Sequence, residues 1–327
     1  MIKTNKKKKA LAVCLTVVMM AAAGCSGGIP IVSEVRETSG YTNPQTMILI
    51  ATEKNRYRSV YTDQIWQVQV DEDGTTFKTY LLGEVKNFLR ELKTMNLLAD
   101  QEGIGLTAQE KEKLGGLASR YYESLTPEDL AYMGVEESDV YTMYEEYHRA
   151  NKLVDELTRD VNLEISDSEA KMITVEEIRL GDAQTAEEVY GQVTAEDADF
   201  TSIAKSYSED AEILKQVGRS ERPKEYEDVV FQLAAGEISP VIREEGAYYI
   251  VRCVSDYDEE ATLKRKQQLS LYRKNQAFRQ IYDAFAAEHP VAIEGSIWED
   301  VSFTSDDNST ATGFFELYQE AMNEWGA

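Results

Sequence analysis

The chain has 327 residues and a formal charge of −25, with 59 acids against 34 bases. So acidic a surface repels nucleic acid and anionic lipid headgroups and excludes both as direct partners. Three cysteines and two separated histidines (His148 and His289) give neither a disulfide framework nor a ligand cluster, so no cofactor and no metal are expected.

Five lysines, Lys3 and Lys6 to Lys9, precede an apolar run from Ala10 to Ala23. That run is shorter than the ~20 residues of a membrane span. A basic start, a short apolar stretch and small residues at its end form an export signal, assigned to residues 1–24. Ala22-Ala23-Gly24-Cys25 resembles the lipobox of bacterial lipoproteins. The resemblance implies cleavage before Cys25, acylation of its thiol and a lipid anchor on the extracytoplasmic face of the cell membrane. An ordinary signal peptide with an incidental cysteine is the alternative. Loss of the leader takes the charge to −30 and leaves Cys253 as the one thiol besides Cys25, so stability must come from the core. Residues 25–46, rich in Ser, Gly, Thr and Pro, read as a flexible tether.

Residues 47–170 read as a mainly helical domain. Met47 to Thr52 and the alternating Ile65 to Val70, before the turn Asp71-Glu72-Asp73-Gly74, suggest a small strand or hairpin. Val85, Phe88, Leu89, Leu92 and Met95 share one helical face, in a run that ends near Gly103. Thr107 to Glu110 is a capping box, and Thr126-Pro127-Glu128 opens a short helix that Gly134 can close. A longer helix carries Val140, Tyr144, Tyr147, Leu153 and Leu157. The tyrosines at 121, 122, 132, 141, 144 and 147 are expected as core and rim packing; a cradle for unfolded clients is the other reading.

Residues 171–257 change character. Ile173 to Leu180 is strand-like, and Thr185 to Glu188 reads as another capping box. Helices follow at Phe200 to Tyr207 and at Tyr226 to Leu233. Ile238 to Ile242 and Tyr248 to Val254 then read as a hairpin. The order implies an α+β unit with helices on a small antiparallel sheet. Residues 258–303 hold a long helix from Thr262 to His289, with Leu271, Phe278, Ile281, Tyr282 and Phe285 on one face, and a closing strand from Val291 to Phe303. The helix's basic residues (Lys264, Arg265, Lys266, Arg273, Lys274, Arg279) are expected to lie against the acidic N-terminal helices. Residues 304–327 read as a polar tail with a last amphipathic turn at Phe314 to Trp325.

Three segments of the middle unit resemble the parvulin-type (PpiC) peptidyl-prolyl isomerases: Phe200 to Ser208, Val230 to Val241, and Tyr248 to Arg252. The surrounding plan is similar to extracytoplasmic foldases of the PrsA and SurA type. The resemblance implies a parvulin-like domain inserted into an α-helical chaperone-type domain built from N- and C-terminal segments. It also implies a chaperone that assists the folding of unfolded or newly exported polypeptides. Parvulins lower a rotation barrier of ~20 kcal/mol about X–Pro bonds. Their two histidines would fall at Glu177 and Tyr249 here, and the acid between them at Asp210. The family's proline pocket maps to Leu214, Tyr226 and Phe231, with Arg222 where the pocket methionine belongs, and its Gly-Gly loop is lost. Glu177 and Tyr249 are expected to form a hydrogen-bonded pair in place of the imidazoles. Asp210 is either catalytic or a helix-end cap, and Arg222 needs an acid, Asp210 or Glu177. Two functions follow, a holdase whose parvulin unit is a scaffold and an active isomerase using Asp210 and Tyr249. An unrelated solute-binding or wall-associated lipoprotein is the third.

Overall fold

The structure, a computed structural model, describes residues 40–244 and 246–326. The export leader, Cys25 and the tether up to residue 39 lie outside the described residues. The chain divides into two compact units. One holds the residues up to Asp160 and from Ala277 onward, and the other runs Val161–Gln276.

The first unit opens with helix α1, Asn43–Arg58, capped by Thr42 and Gln45 in a reciprocal box. Met47 to Thr52, expected as a strand, are its centre. Every residue from Thr46 to Asn55 is buried, so the helix carries no apolar stripe to show its period. The tether therefore stops short of 46. Ile65 to Val70 is a 3₁₀ turn at Asp63–Gln67 and then a single bridge, Gln69 to Thr76, in place of a strand. Helices α2 (Phe77–Gln101), α3 (Ala108–Glu123), α4 (Pro127–Met133) and α5 (Glu137–Leu157) follow. The Thr107 capping box and the Pro127 start are present, and Gly134 closes α4 at a φ of 62°. Tyr121, Tyr144 and Tyr147 are buried core, and Tyr122, Tyr132 and Tyr141 pack against it, as core and rim.

The second unit contains a short helix α6 (Asp167–Ala170), strand β1 (Met172–Leu180), helices α7 (Ala183–Val193) and α8 (Phe200–Tyr207), strand β2 (Leu214–Gly218), helix α9 (Lys224–Val230) and strands β3 (Ile242–Glu244) and β4 (Ala247–Ser255). The strands form one antiparallel sheet in the order β2-β1-β4-β3. This is the expected α+β class, with two differences of detail. Strand β2 was not foreseen, and the hairpin pairs only from Ile242, while Ile238 makes an isolated bridge to Arg252. Helix α7 is capped by Asp182, whose side chain accepts from the Thr185 N–H, and not by a Thr185 box.

Helix α10, Glu259–Glu288, runs from the second unit into the first. Not all of its apolar residues are buried. Tyr282 and Phe285 are buried, whereas Leu271 and Ile281 are exposed. Nor does its basic side lie mainly on the N-terminal helices. Arg265 pairs with Glu221, Lys266 with Asp167 and Arg273 with Glu169, all inside the second unit, and Arg279 alone of these pairs with α2, through Glu91. Val291 to Phe303 is not a strand. It holds a short helix α11, Ile297–Asp300, and buries Val291, Ile293, Val301 and Phe303 in the first unit's core. The supposed polar tail is also core. Helix α12, Phe314–Trp325, buries Phe314, Phe315, Tyr318 and Ala321, and Phe314 stacks on Tyr144 at 4.2 Å.

Glu53 of α1 is 3 % exposed beside a small, mainly apolar cavity lined also by Leu49, Leu81, Glu84, Val85, Phe88 and Phe315. Arg56 lies 2.8 Å away, but neither carboxylate oxygen has a hydrogen bond among the described residues. Burial, only partly offset by Arg56, pushes the Glu53 carboxyl up to about 7. A raised carboxyl takes up its proton more readily folded than unfolded, so its cost to stability grows as pH rises from 4.5 through 7 and is constant above. Glu53→Gln is therefore expected to stabilise the protein by on the order of 2 kcal/mol at pH 8, with the gain fading toward pH 5. Paired urea titrations at the two pH values measure it, and an equal gain at both would reject the assignment.

Candidate functional site

Strand β1 alternates, sending Ile173, Val175, Glu177 and Arg179 to one face of the sheet and Glu176, Ile178 and Leu180 to the other. The second face packs on α7 and α8 through Ala186, Val189, Phe200 and Ala204. The first packs on α9 through Tyr226 and Val230. Register then assembles the site. Arg179 stands opposite Tyr249, Val175 opposite Lys215, and Tyr249 opposite Ile242, so Glu177, Lys215, Tyr249 and Glu244 share the α9 face.

Glu177 is fully buried at the centre of this face. Its carboxylate accepts hydrogen bonds from Tyr226 Oη (2.6 Å), Lys215 Nζ (2.6 Å) and Arg222 Nη1 (3.4 Å). Lys215 Nζ also donates to Asp210 (2.5 Å), and Arg222 Nη2 to Glu244 (2.9 Å). The Arg222 guanidinium lies 4.2 Å from the centre of the Tyr226 ring and 4.9 Å from that of Tyr249. The two rings meet edge to face at 6.0 Å. Burial opposes the charges of Arg222 and Lys215, yet the carboxylates bonded to each keep both above their ordinary values. Burial and the Glu177 charge push the Tyr226 phenol up, so it stays a donor.

The expected pair of Glu177 with Tyr249 is replaced by this network. Glu177 is claimed by Tyr226, Lys215 and Arg222, while Tyr249 supports the guanidinium with its ring. Arg222 does find Glu177, but its second acid is Glu244 and not Asp210. Asp210 faces Lys215 instead. Leu214 does not line the cleft. It stands opposite Glu176, so strand alternation turns it to the other face, where it is 53 % exposed. Tyr226 and Phe231 are in the core under the site, and Arg219 covers the Phe231 ring at 4.1 Å. Lys215 and Glu244 escaped the sequence reading. Lys215 needs the β2 register to be placed, and Glu244 falls between the two expected strands of the hairpin.

Three carboxylates, two cations and one neutral phenol thus bond one another over an aromatic floor, one negative charge in excess. A network so connected holds a shape. Both histidines lie in the other unit, His148 bonded to Tyr318 and His289 to the Phe285 carbonyl.

Residues 173–255 match the family model described as the rotamase PPIC-type PPIase domain. It is a parvulin-type domain in a PrsA-like chain. The foldase protein PrsA of Caldanaerobacter subterraneus subsp. tengcongensis is 26% identical over 306 residues, covering 85% of this chain and 93% of that one. The PrsA of Halalkalibacterium halodurans is 28% identical over 217 residues, 64% of this chain and 57% of its own. The crystal structure of the Bacillus cereus PrsA covers 78% of this chain and 99% of that one at 18% identity, with a TM-score of 0.37. The parvulin-type domain therefore carries its site as an ion-pair network on two tyrosines.

Proposed function

We propose that the protein is an extracytoplasmic foldase, anchored by lipid at Cys25, that holds unfolded or newly exported polypeptides and does not isomerise them. One observation carries this reading. Arg222 sits on the faces of Tyr226 and Tyr249 between Glu177 and Glu244, the place where the parvulin resemblance puts the proline ring. Seating a pyrrolidine there would displace a paired guanidinium, leave Glu244 without its cation and take one of three donors from the wholly buried Glu177, at a cost of several kcal/mol. Of the groups an isomerase would use here, Asp210 is bonded to Lys215, and Tyr249 carries the Arg222 guanidinium on its ring and bonds Arg179 with its side chain.

A protease-coupled prolyl-peptide assay tests the chemistry. The expected rate equals that without protein, and an acceleration lost in Asp210→Ala would overturn the holding-only reading. Aggregation of an unfolded client should be suppressed at several-fold excess and stay suppressed in an Asp210→Ala, Tyr249→Phe variant. Recovery of Cys25→Ser from the soluble fraction, with the parent in the membrane fraction, is the expected result for the anchor; equal partition would remove it.

A further inference from the structure

In the described part of the first unit, exposed large apolar side chains other than Ile281 gather in one stretch. Val60, Tyr61, Val68, Val70 and Tyr80 are each at least 43 % exposed. Backbone and ring contacts draw them around Phe77. Tyr57 meets Phe77 edge-on at 5.0 Å, and the Tyr80 ring lies 6.1 Å from it. The N–H of Phe77 donates to Val68 (2.8 Å), that of Val70 to Thr75 (2.9 Å), and that of Tyr61 to Tyr57 (2.9 Å). The Gln69–Thr76 bridge falls between the first two of these bonds, which makes it a non-hydrogen-bonded pair. The N–H and C=O of Gln69 therefore point away from the ribbon, one donor and one acceptor that an extended chain lying alongside can bond.

Charge selects the occupant. Asp71, Glu72 and Asp73 are exposed at the ribbon's tip. The cations of the same stretch are turned to other tasks, Arg56 to Glu53, Arg58 to Asp307, and Lys78 to the Val301 carbonyl. The surface is thus apolar with an anionic rim. An anionic membrane and a nucleic acid are repelled by it, and a second copy would bring the same acids face to face. We propose that this surface docks an extended, apolar polypeptide segment with lysine or arginine beside its apolar residues. The inference rests on the holding function proposed above and gives it a location outside the parvulin-type cleft.

The test uses the whole protein and two short labelled peptides of one apolar pattern, one with flanking lysines and one with glutamates. The parent is expected to bind the lysine peptide more tightly, with the gap closing at high salt. In Val60→Ser/Val68→Ser/Tyr80→Ser, affinity for the lysine peptide should fall about tenfold or more, which is ~1.4 kcal/mol. Gln69→Pro, which removes the outward N–H and no bond of the ribbon, should weaken it in the same direction. Parent-like binding by both variants overturns the location while leaving the holding function intact, and equal binding of the two peptides overturns the charge rule. A parent that neither binds peptide nor suppresses aggregation removes the holding function itself. A concentration-dependent dimer abolished by the triple variant would assign the surface to a second copy and overturn the proposal.

Discussion

Glu177→Ala is expected to destabilise the protein by about 3–5 kcal/mol, the usual cost of breaking a buried ionic network by removing one member. Glu177 is the shared acceptor for a phenol, an ammonium and a guanidinium. Without it the buried Tyr226 hydroxyl loses its bond, and Arg222 retains only Glu244. Replacing the network as a whole is a different experiment. Glu177→Leu/Lys215→Leu/Arg222→Met/Tyr226→Phe/Glu244→Leu fills the same space with apolar groups and leaves only the partly exposed Asp210 without its partner, so its stability should stay within about 1–2 kcal/mol of the parent. The contrast separates an arrangement that is costly to break from one that is strongly stabilising in itself. Urea unfolding of the full-length variants, followed by near-ultraviolet tyrosine signals, measures both. A loss under about 1 kcal/mol in Glu177→Ala would mean that water already reaches the carboxylate, contrary to its burial.

What the sequence revealed depended on how local the cause was. The Thr107 and Thr126 starts were legible because a cap is written within four residues. Met47 to Thr52 misled for the opposite reason: a helix surrounded on every side by protein has no polar face to give it a period. Strand β2 is five residues long with two of them buried, Val217 and Gly218, too little alternation to stand out. The site divides in the same way. Glu177, Tyr249 and Arg222 could be found because the parvulin resemblance numbers the positions along the chain. Their partners could not, because Lys215 and Glu244 reach the site through pairing between strands, which motif spacing does not encode. Leu214 shows the cost of a missing register, since a pocket residue by alignment faces away from the pocket by alternation. The segment after Thr304 was misjudged on composition, because its polar residues are bonded inward.

That segment carries the second large effect. Asp129 of α4 is 1 % exposed, and its Oδ1 accepts from Ser309 Oγ (2.9 Å), the Thr310 N–H (2.6 Å) and the Ala311 N–H (2.9 Å). Its Oδ2 accepts from the N–H and hydroxyl of Thr126 at 3.0 and 2.8 Å. Nearby, Lys54 Nζ bonds Asp307 at 2.6 Å over the Tyr132 ring, and Asn55 bonds Ser309 and Ala311. These side chains hold the approach to α12, whose aromatic residues complete the first unit's core. Asp129→Ala strands five donors, the Ser309 hydroxyl buried and the others partly so, and should cost about 3–5 kcal/mol, or roughly 10 °C in midpoint for a unit of this size. Burial alone would raise the Asp129 carboxyl, but the bonds from Thr126, Thr310 and Ala311 hold it below its usual value of 3.8. A depressed carboxyl contributes stability that is present above that value and lost as pH falls through the lower folded one. The gap between parent and Asp129→Ala should accordingly be full at pH 7 and narrow on acidification below about pH 4. Calorimetry across that range measures the gap, and limited proteolysis should release the α12 segment sooner from the variant. A gap of constant size down to the acid limit would show that the bonded form of Asp129 is not the ionised one.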